Sequence, residues 1–206
     1  MIPGLVHIID DDLAVRQSLA LLLDAADLSA RAYPDAESFL AAADAADLPG
    51  CVVADMRMPG MSGLDLLAAI RDRRLDLPLI VITGHADVAM AVLALKSGAA
   101  DFIEKPFDEE VFLGSVRQAL VQGQRAFHER REAAAIAARA AGLTPREREV
   151  MALVVRGLPN KMVAAELAIS VRTVEIHRAR VMEKMGADSL SGLVRTVLQL
   201  DDTVCD

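Results

Sequence analysis

Five short runs rich in β-branched residues alternate with longer segments of helical period through the first 122 residues. That alternation constrains the fold to a parallel sheet wrapped by helices. The predicted strands are Leu5–Asp10, Ser29–Tyr33, Cys51–Asp55, Leu79–Thr83 and Phe102–Glu104. The predicted helices are Val15–Ala26, Asp35–Ala43, Leu64–Arg73, Ala89–Lys96 and Asp108–Gln122. Pro49-Gly50, Pro59-Gly60, Gly63, Pro78, Gly84, Gly98 and Pro106 punctuate the intervals between them. In a parallel sheet the C-terminal strand ends lie along one edge, where open α/β sheets hold their ligands. Here those ends are charged or polar: Asp10-Asp11-Asp12 after the first strand, Asp55 on the third, Thr83 on the fourth, and Lys105-Pro106 after the fifth.

These residue types point to phosphoryl chemistry at one aspartate. Magnesium is a hard cation that needs only one or two carboxylates beside a phosphate, and Asp10, Asp11 and Asp55 supply them. The Asp55 carboxylate is then a nucleophile toward a phosphoryl donor. Charge on the transferring oxygens has to be neutralised, by the cation and by Lys105, while the Thr83 hydroxyl hydrogen-bonds a phosphoryl oxygen. Asp12 reads instead as a helix-start carboxylate. Taken singly, Lys105 would be a solvated surface charge and Thr83 an ordinary strand residue. Their joint appearance at successive strand ends is what carries the inference.

The chain bears 22 Lys and Arg against 30 Asp and Glu, but unevenly. Residues 1–122 hold 9 basic and 19 acidic side chains, and residues 123–206 hold 13 and 11. An acidic half joined to a slightly basic one implies two tasks, with any polyanion met by the second. Residues 123–142 are rich in alanine and arginine and predict a partly helical connector. Beyond Gly142 only helices are predicted: Pro145–Arg156, Asn160–Ala168, Val171–Met185 and Ser189–Gln199. Thr144-Pro145-Arg146-Glu147 supplies a capping box with proline at the first helical position, Ser170 caps the third helix, and Asp188 or Ser189 caps the fourth.

Ile169-Ser170 separates two of these helices by the interval of a helix-turn-helix, whose second helix enters the major groove of DNA. Val174, Val181 and Met185 fall on one side of that helix, toward a core. Arg172, Glu175, Ile176, Ala179, Arg180 and Glu183 fall on the other. Glu175 suits a cytosine amino group, and Ile176 or Ala179 a thymine methyl. Arg172, Arg178, Arg180 and Lys184, with Lys161 from the preceding helix, are candidate phosphate contacts. His177 on the flank reads as packed or phosphate-facing rather than as a metal ligand, because no partner ligand lies nearby. By composition alone, these arginines fit a salt-bridged surface equally well.

The order Asp10-Asp11, Asp55, Thr83 and Lys105-Pro106, with Met58-Pro59-Gly60-Met61-Ser62-Gly63 after the aspartate, resembles the receiver domain of two-component response regulators. The resemblance covers residues 5 to about 122. It implies a doubly wound, flavodoxin-like sheet of order 2-1-3-4-5 and phosphorylation of Asp55 by a sensor histidine kinase. By position it implies Mg2+ bound by Asp11, Asp55 and the Arg57 main-chain carbonyl, with Asp10 acting through water. It also implies a Thr83–Phe102 switch pair and, often, a cis Lys105-Pro106 bond. Phe102 stands where the family often has tyrosine. Leu143-Thr144-Pro145-Arg146-Glu147-Arg148-Glu149-Val150, Gly157-Leu158-Pro159-Asn160-Lys161 and Ser170-Val171-Arg172-Thr173-Val174-Glu175-Ile176-His177-Arg178 resemble the LuxR-type output domain, and the pairing is similar to the FixJ group.

The expected domains are therefore a receiver (1–122), a helical linker (123–142) and an all-α, four-helix DNA-binding domain (143–206). In it Lys161, Arg172, Thr173, Glu175, Ile176, Ala179, Arg180 and Lys184 face DNA. The resemblance implies transcriptional regulation, with promoter DNA, a second phosphorylated copy and RNA polymerase as partners. An aspartate-nucleophile phosphatase would need a second acid two residues after Asp55, where this chain has Arg57, so an enzyme is not expected. Cys51 and Cys205 show neither disulfide nor metal spacing and read as a core thiol and an incidental one. No apolar run reaches about 18 residues and no signal segment is present, so a soluble, cytoplasmic protein without membrane partners is expected.

Overall fold

The structure, a computed structural model, describes residues 4–43, 49–84 and 88–204; Cys205 lies outside them. The chain divides into two compact units, Met1–His128 and Glu129–Asp206.

In the first unit, β1 (Leu5–Ile9), β2 (Ala30–Tyr33), β3 (Gly50–Asp55), β4 (Leu79–Thr83) and β5 (Asp101–Glu104) form one sheet of order β2-β1-β3-β4-β5. Every pairing is parallel. The interleaved helices are α1 (Leu13–Ala25), α2 (Ala36–Ala43), α3 (Gly63–Asp72), α4 (Val88–Lys96) and the first part of α5 (Glu109–Ala141), whose residues from Glu129 on belong to the second unit. A sheet covered on both faces needs apolar residues at every strand position, and β3 is buried throughout. Alternate residues feed two cores. Ile9, Val52, Ala54 and Val81 pack with Phe39, Leu66 and Ile70. Val6, Ile8, Val53, Ile80 and Ile82 pack with Leu19, Leu23, Phe112 and Leu120. Each large side chain so buried contributes roughly 1.5–3 kcal/mol.

Local chemistry sets the helix starts. The Asp12 side chain accepts the Ala14 N–H at 2.7 Å and caps α1. Ser62 and Asp65 form a capping box that opens α3 directly after the loop from Asp55. The Lys105-Pro106 bond is cis.

The helix expected to end at Gln122 does not stop there. It runs on as α5 to Ala141, so the connector is helical up to the turn at Gly142. Gly123, inside this helix, permits a close contact: a Cβ on it would collide with the Gly50 carbonyl oxygen, so only glycine lets helix and strand approach this closely.

In the second unit, α6 (Pro145–Val155), α7 (Asn160–Glu166), α8 (Val171–Met185) and α9 (Leu190–Val204) enclose a core of Val150, Leu153, Val154, Val163, Val174, Val181, Met185 and Leu193. The expected caps are present: Thr144 with Glu147 on α6, Ser170 on α8, and Ser189, whose hydroxyl accepts the Gly192 N–H at 3.1 Å. Helix α7 is shorter than expected. It closes when Ala168 turns left-handed (φ 53°) and the Ile169 N–H reaches back to the Ala164 carbonyl at 3.0 Å. Among the described residues no helix is long and apolar enough to cross a membrane.

Candidate functional site

Parallel pairing brings the predicted chemistry to one sheet edge. Asp10 follows β1, Asp55 ends β3, Thr83 ends β4 and Lys105 follows β5. The Lys105 ammonium donates to Asp10 Oδ2 and to Asp55 Oδ1, each at 2.8 Å. The backbone secures its approach, since the Lys105 N–H donates to the Thr83 carbonyl at 2.7 Å. The remaining carboxylate oxygens are also held: Asp10 Oδ1 accepts the Asp12 N–H at 2.9 Å, and Asp55 Oδ2 accepts the Arg57 N–H at 2.6 Å.

Asp10, Asp55 and Thr83 are all buried, at 2%, 9% and 1% exposure. Burial pulls the Lys105 pKa down, but its hydrogen bonds and charge attraction to Asp10 and Asp55 outweigh this, leaving it above the ordinary lysine value. The site therefore holds two buried carboxylates on one ammonium, with Asp55 terminal on its strand. Close packing fixes the loop that follows: a Cβ on Gly63 would stand 2.7 Å from the Asp55 carbonyl oxygen.

Asp11 is exposed beside the buried pair, and the Arg57 side chain is exposed while its backbone N–H faces Asp55. Phe102 pairs in register with Val81, two residues before Thr83. Thr83 and Phe102 thus share one face of the sheet. Phe102 is partly buried against the core that contains Val81. Asp12 is taken up by its capping role. Among the described residues no three His, Cys, Asp or Glu side chains converge to form a metal-holding group.

Sequence reasoning missed Arg16, whose Nη1 donates to the Asp10 main-chain carbonyl at 2.5 Å. The available signal was its place in the first turn and a half of the helix, from which a long side chain reaches back toward the N-terminus.

In the second unit, the helical wheel predicted for α8 matches the structure. Val174, Val181 and Met185 are buried, while Arg172, Glu175, Ile176, Ala179 and Arg180 are exposed. Ile176 is 44% exposed and Met162 on α7 is 58% exposed, which gives the outer face an apolar component. Lys161 is exposed on α7. Arg172 pairs with Glu175 at 3.3 Å.

Other candidates are engaged within the fold. Arg178 donates to Asn160 Oδ1 at 3.0 Å, tying α8 to α7. Thr173 contacts the capping Ser170 through its N–H at 3.0 Å and its hydroxyl at 2.7 Å. Lys184 donates to Glu147 at 2.6 Å and to the Gly142 carbonyl at 3.2 Å. His177 Nδ1 is buried without a hydrogen-bond partner.

Glu147 was read only as a cap residue. It is 2% exposed and joins the start of α6 to α8. The Lys184 bond and then the Thr144 N–H lower its pKa to about 2 against the opposing effect of burial.

Comparison with known proteins matches residues 6–117 to the response regulator receiver domain and residues 141–197 to the bacterial regulatory proteins of the luxR family. The chain is similar to the transcriptional regulatory protein FixJ of Bradyrhizobium diazoefficiens, at 45% identity over 95% of both chains. It is also similar to FixJ of Azorhizobium caulinodans, at 50% identity over 94% of this chain and 91% of the relative. Among solved structures, response regulator StyR matches with a TM-score of 0.83 and 36% identity, covering 96% of this chain and 99% of that one.

Proposed function

This chain belongs to the two-component response regulators, phosphorylation-dependent transcriptional regulators that join a receiver to a luxR-family DNA-binding domain, and on that premise we propose that Asp55 is its phosphoacceptor. The supporting observation is the meeting of Asp55 and Asp10 on the Lys105 ammonium. One Asp55 oxygen attacks the phosphorus of a sensor kinase phosphohistidine, the P–N bond breaks, and the imidazole leaves with its electron pair. Lys105 stays beside the new acyl phosphate as a fixed counter-charge, and Thr83 donates its hydroxyl to a phosphoryl oxygen.

The donor set suits Mg2+. Two buried carboxylates that already share one cation offer hard oxygens, and this ion needs few protein ligands because it keeps its waters. Asp55, Asp11 and the Arg57 carbonyl would hold it, with Asp10 acting through water. When bound, the ion neutralises charge on the phosphoryl oxygens. The Lys105 ammonium lies where it can release part of its hold on both acids as that charge arrives.

Recruitment of Thr83 toward the phosphoryl group leaves space into which Phe102, on the same sheet face, turns inward. The surface altered is that of α4 and β5. Helix α4 carries Val88, Val92, Leu93 and Leu95 exposed, an apolar patch suited to a second receiver. Paired receivers bring two output domains to one promoter, where RNA polymerase is a further partner; the compartment is the cytoplasm. On DNA, Glu175, Ile176 and Ala179 read bases, and Lys161, Arg172 and Arg180 hold phosphates. Thr173 and Lys184 act through the fold that orients α8.

Magnesium-dependent labelling by acetyl phosphate tests the assignment. Wild-type protein gains one phosphoryl group by intact mass and Asp55→Asn gains none; equal incorporation by the variant would refute the role of Asp55.

A further inference from the structure

The buried end of β1 is braced from a direction that no phosphoryl or metal contact explains. Asp10 sits where the strand stops and the cap of α1 begins, and hydrogen bonds hold it on both its side chain and its main chain. The Asp12 N–H and the Lys105 ammonium fix the two carboxylate oxygens. The main-chain carbonyl accepts from Arg16 Nη1 at 2.5 Å, across six residues. Arg16 is half-buried and projects from the second turn of α1 back over the helix start. A guanidinium bonded to a main-chain carbonyl makes a charge-assisted contact with fixed geometry. It sets the plane of the peptide that joins Asp10 to Asp11, and so the directions in which both carboxylates leave the chain.

We propose that Arg16 is a positioning residue for the cation site: by holding the Asp10 carbonyl it aims the Asp10 and Asp11 carboxylates toward Asp55. It contacts neither the ion nor the phosphoryl group. The inference rests on the magnesium reading of Asp10, Asp11 and Asp55 given above.

Two roles for this arginine have opposite signs. As a charge near an acidic cluster, the guanidinium repels a dication, and its removal tightens binding. As a brace it preorganises ligands, and its removal weakens binding; outer contacts to metal ligands commonly change affinity by tenfold or more. The sign of the change therefore separates the two.

Isothermal titration of the full-length protein with Mg2+ provides the test. Arg16→Met keeps the aliphatic stem and removes the donor, and its dissociation constant is expected to rise about tenfold. Arg16→Lys restores a cationic donor and is expected to recover most of the loss. If Arg16→Met does not fold, Arg16→Gln, whose amide is too short to reach the carbonyl, takes its place with the same expectation. Unchanged or tighter Mg2+ binding in the donor-free variant overturns the proposal, as does a lysine variant no better than the methionine one. Wild-type protein and Asp11→Asn test the underlying site. If wild type takes up no Mg2+, the magnesium reading fails and the inference with it. If Asp11→Asn loses binding while Arg16→Met keeps it, only the role of Arg16 fails.

Discussion

Lys105 Nζ and Asp55 Oδ1 meet at 2.8 Å although fifty residues of chain separate them, because β5 and β3 deliver their ends to the same sheet edge. The ammonium provides preorganised charge compensation where negative charge accumulates during phosphoryl transfer. Replacing Lys105 with methionine is expected to slow incorporation from acetyl phosphate on the order of 100-fold. A time course of intact mass at saturating Mg2+ measures this, and an unchanged rate contradicts the role given to Lys105.

Two glycines make a matched pair for stability. A Cβ on Gly63 meets the Asp55 carbonyl oxygen at 2.7 Å and the Met56 Cα at 3.2 Å, whereas one on Gly114 meets nothing within 4 Å. Gly63→Ala is expected to cost about 1–3 kcal/mol and to slow phosphorylation by displacing the Asp55 loop. Gly114→Ala, within helix α5, is expected to stabilise by about 1 kcal/mol. Tyr33 is the only tyrosine and the chain has no tryptophan, so urea unfolding followed by its fluorescence reports on the receiver.

Acid sensitivity of the receiver is expected from His7. Its ring is 3% exposed, lies 3.3 Å from the Tyr33 hydroxyl and packs edge-on against Phe39. Burial, and then the Arg31 charge, lower its pKa from 6.5 to about 4. The unfolded chain therefore takes up the proton first, so stability is complete above pH 6.5 and falls as the pH drops toward 4, by roughly 3 kcal/mol. Tyr33-monitored urea midpoints at pH 7.5 and pH 5 should differ in wild type, and the difference should shrink in His7→Leu.

For the output domain, two basic residues should behave differently. Arg180→Ala should weaken DNA binding across sequences and lower the slope of log affinity against log salt by about one. Lys184→Ala should leave that slope nearly unchanged. It should instead lower thermal stability, because it strips the buried Glu147 of its first partner. The Glu147 contribution to stability is present above pH 4.5 and is lost as the pH falls toward 2. Fluorescence anisotropy at several salt concentrations, alongside thermal melts, separates the two residues.

Much of the receiver was legible because its signals are local: apolar runs of strand length, turn residues between them, and charges at their ends. Asp10, Asp55, Thr83 and Lys105 needed only the rule that parallel strands end together. Features that depend on a distant neighbour were not legible. Gly123 belongs to no turn signal, and only its contact with Gly50 shows why a glycine stands at that point of helix α5. Lys184 has the spacing of a phosphate contact, but Glu147, thirty-seven residues earlier, takes up its ammonium. Arg16 belongs to no motif, and its contact with Asp10 depends on the path of the chain where β1 passes into α1.

In the proposed function the charge state of Asp55 controls DNA binding. The direct measurement is affinity for a DNA fragment selected from random sequence with the phosphorylated protein, taken with and without acetyl phosphate and Mg2+, for wild type and Asp55→Asn. Wild-type affinity should rise about tenfold or more on addition of the phosphodonor, within the usual range of allosteric coupling, while that of Asp55→Asn stays constant. An equal rise in both proteins, or none in wild type that has demonstrably taken up the phosphoryl group, would contradict it.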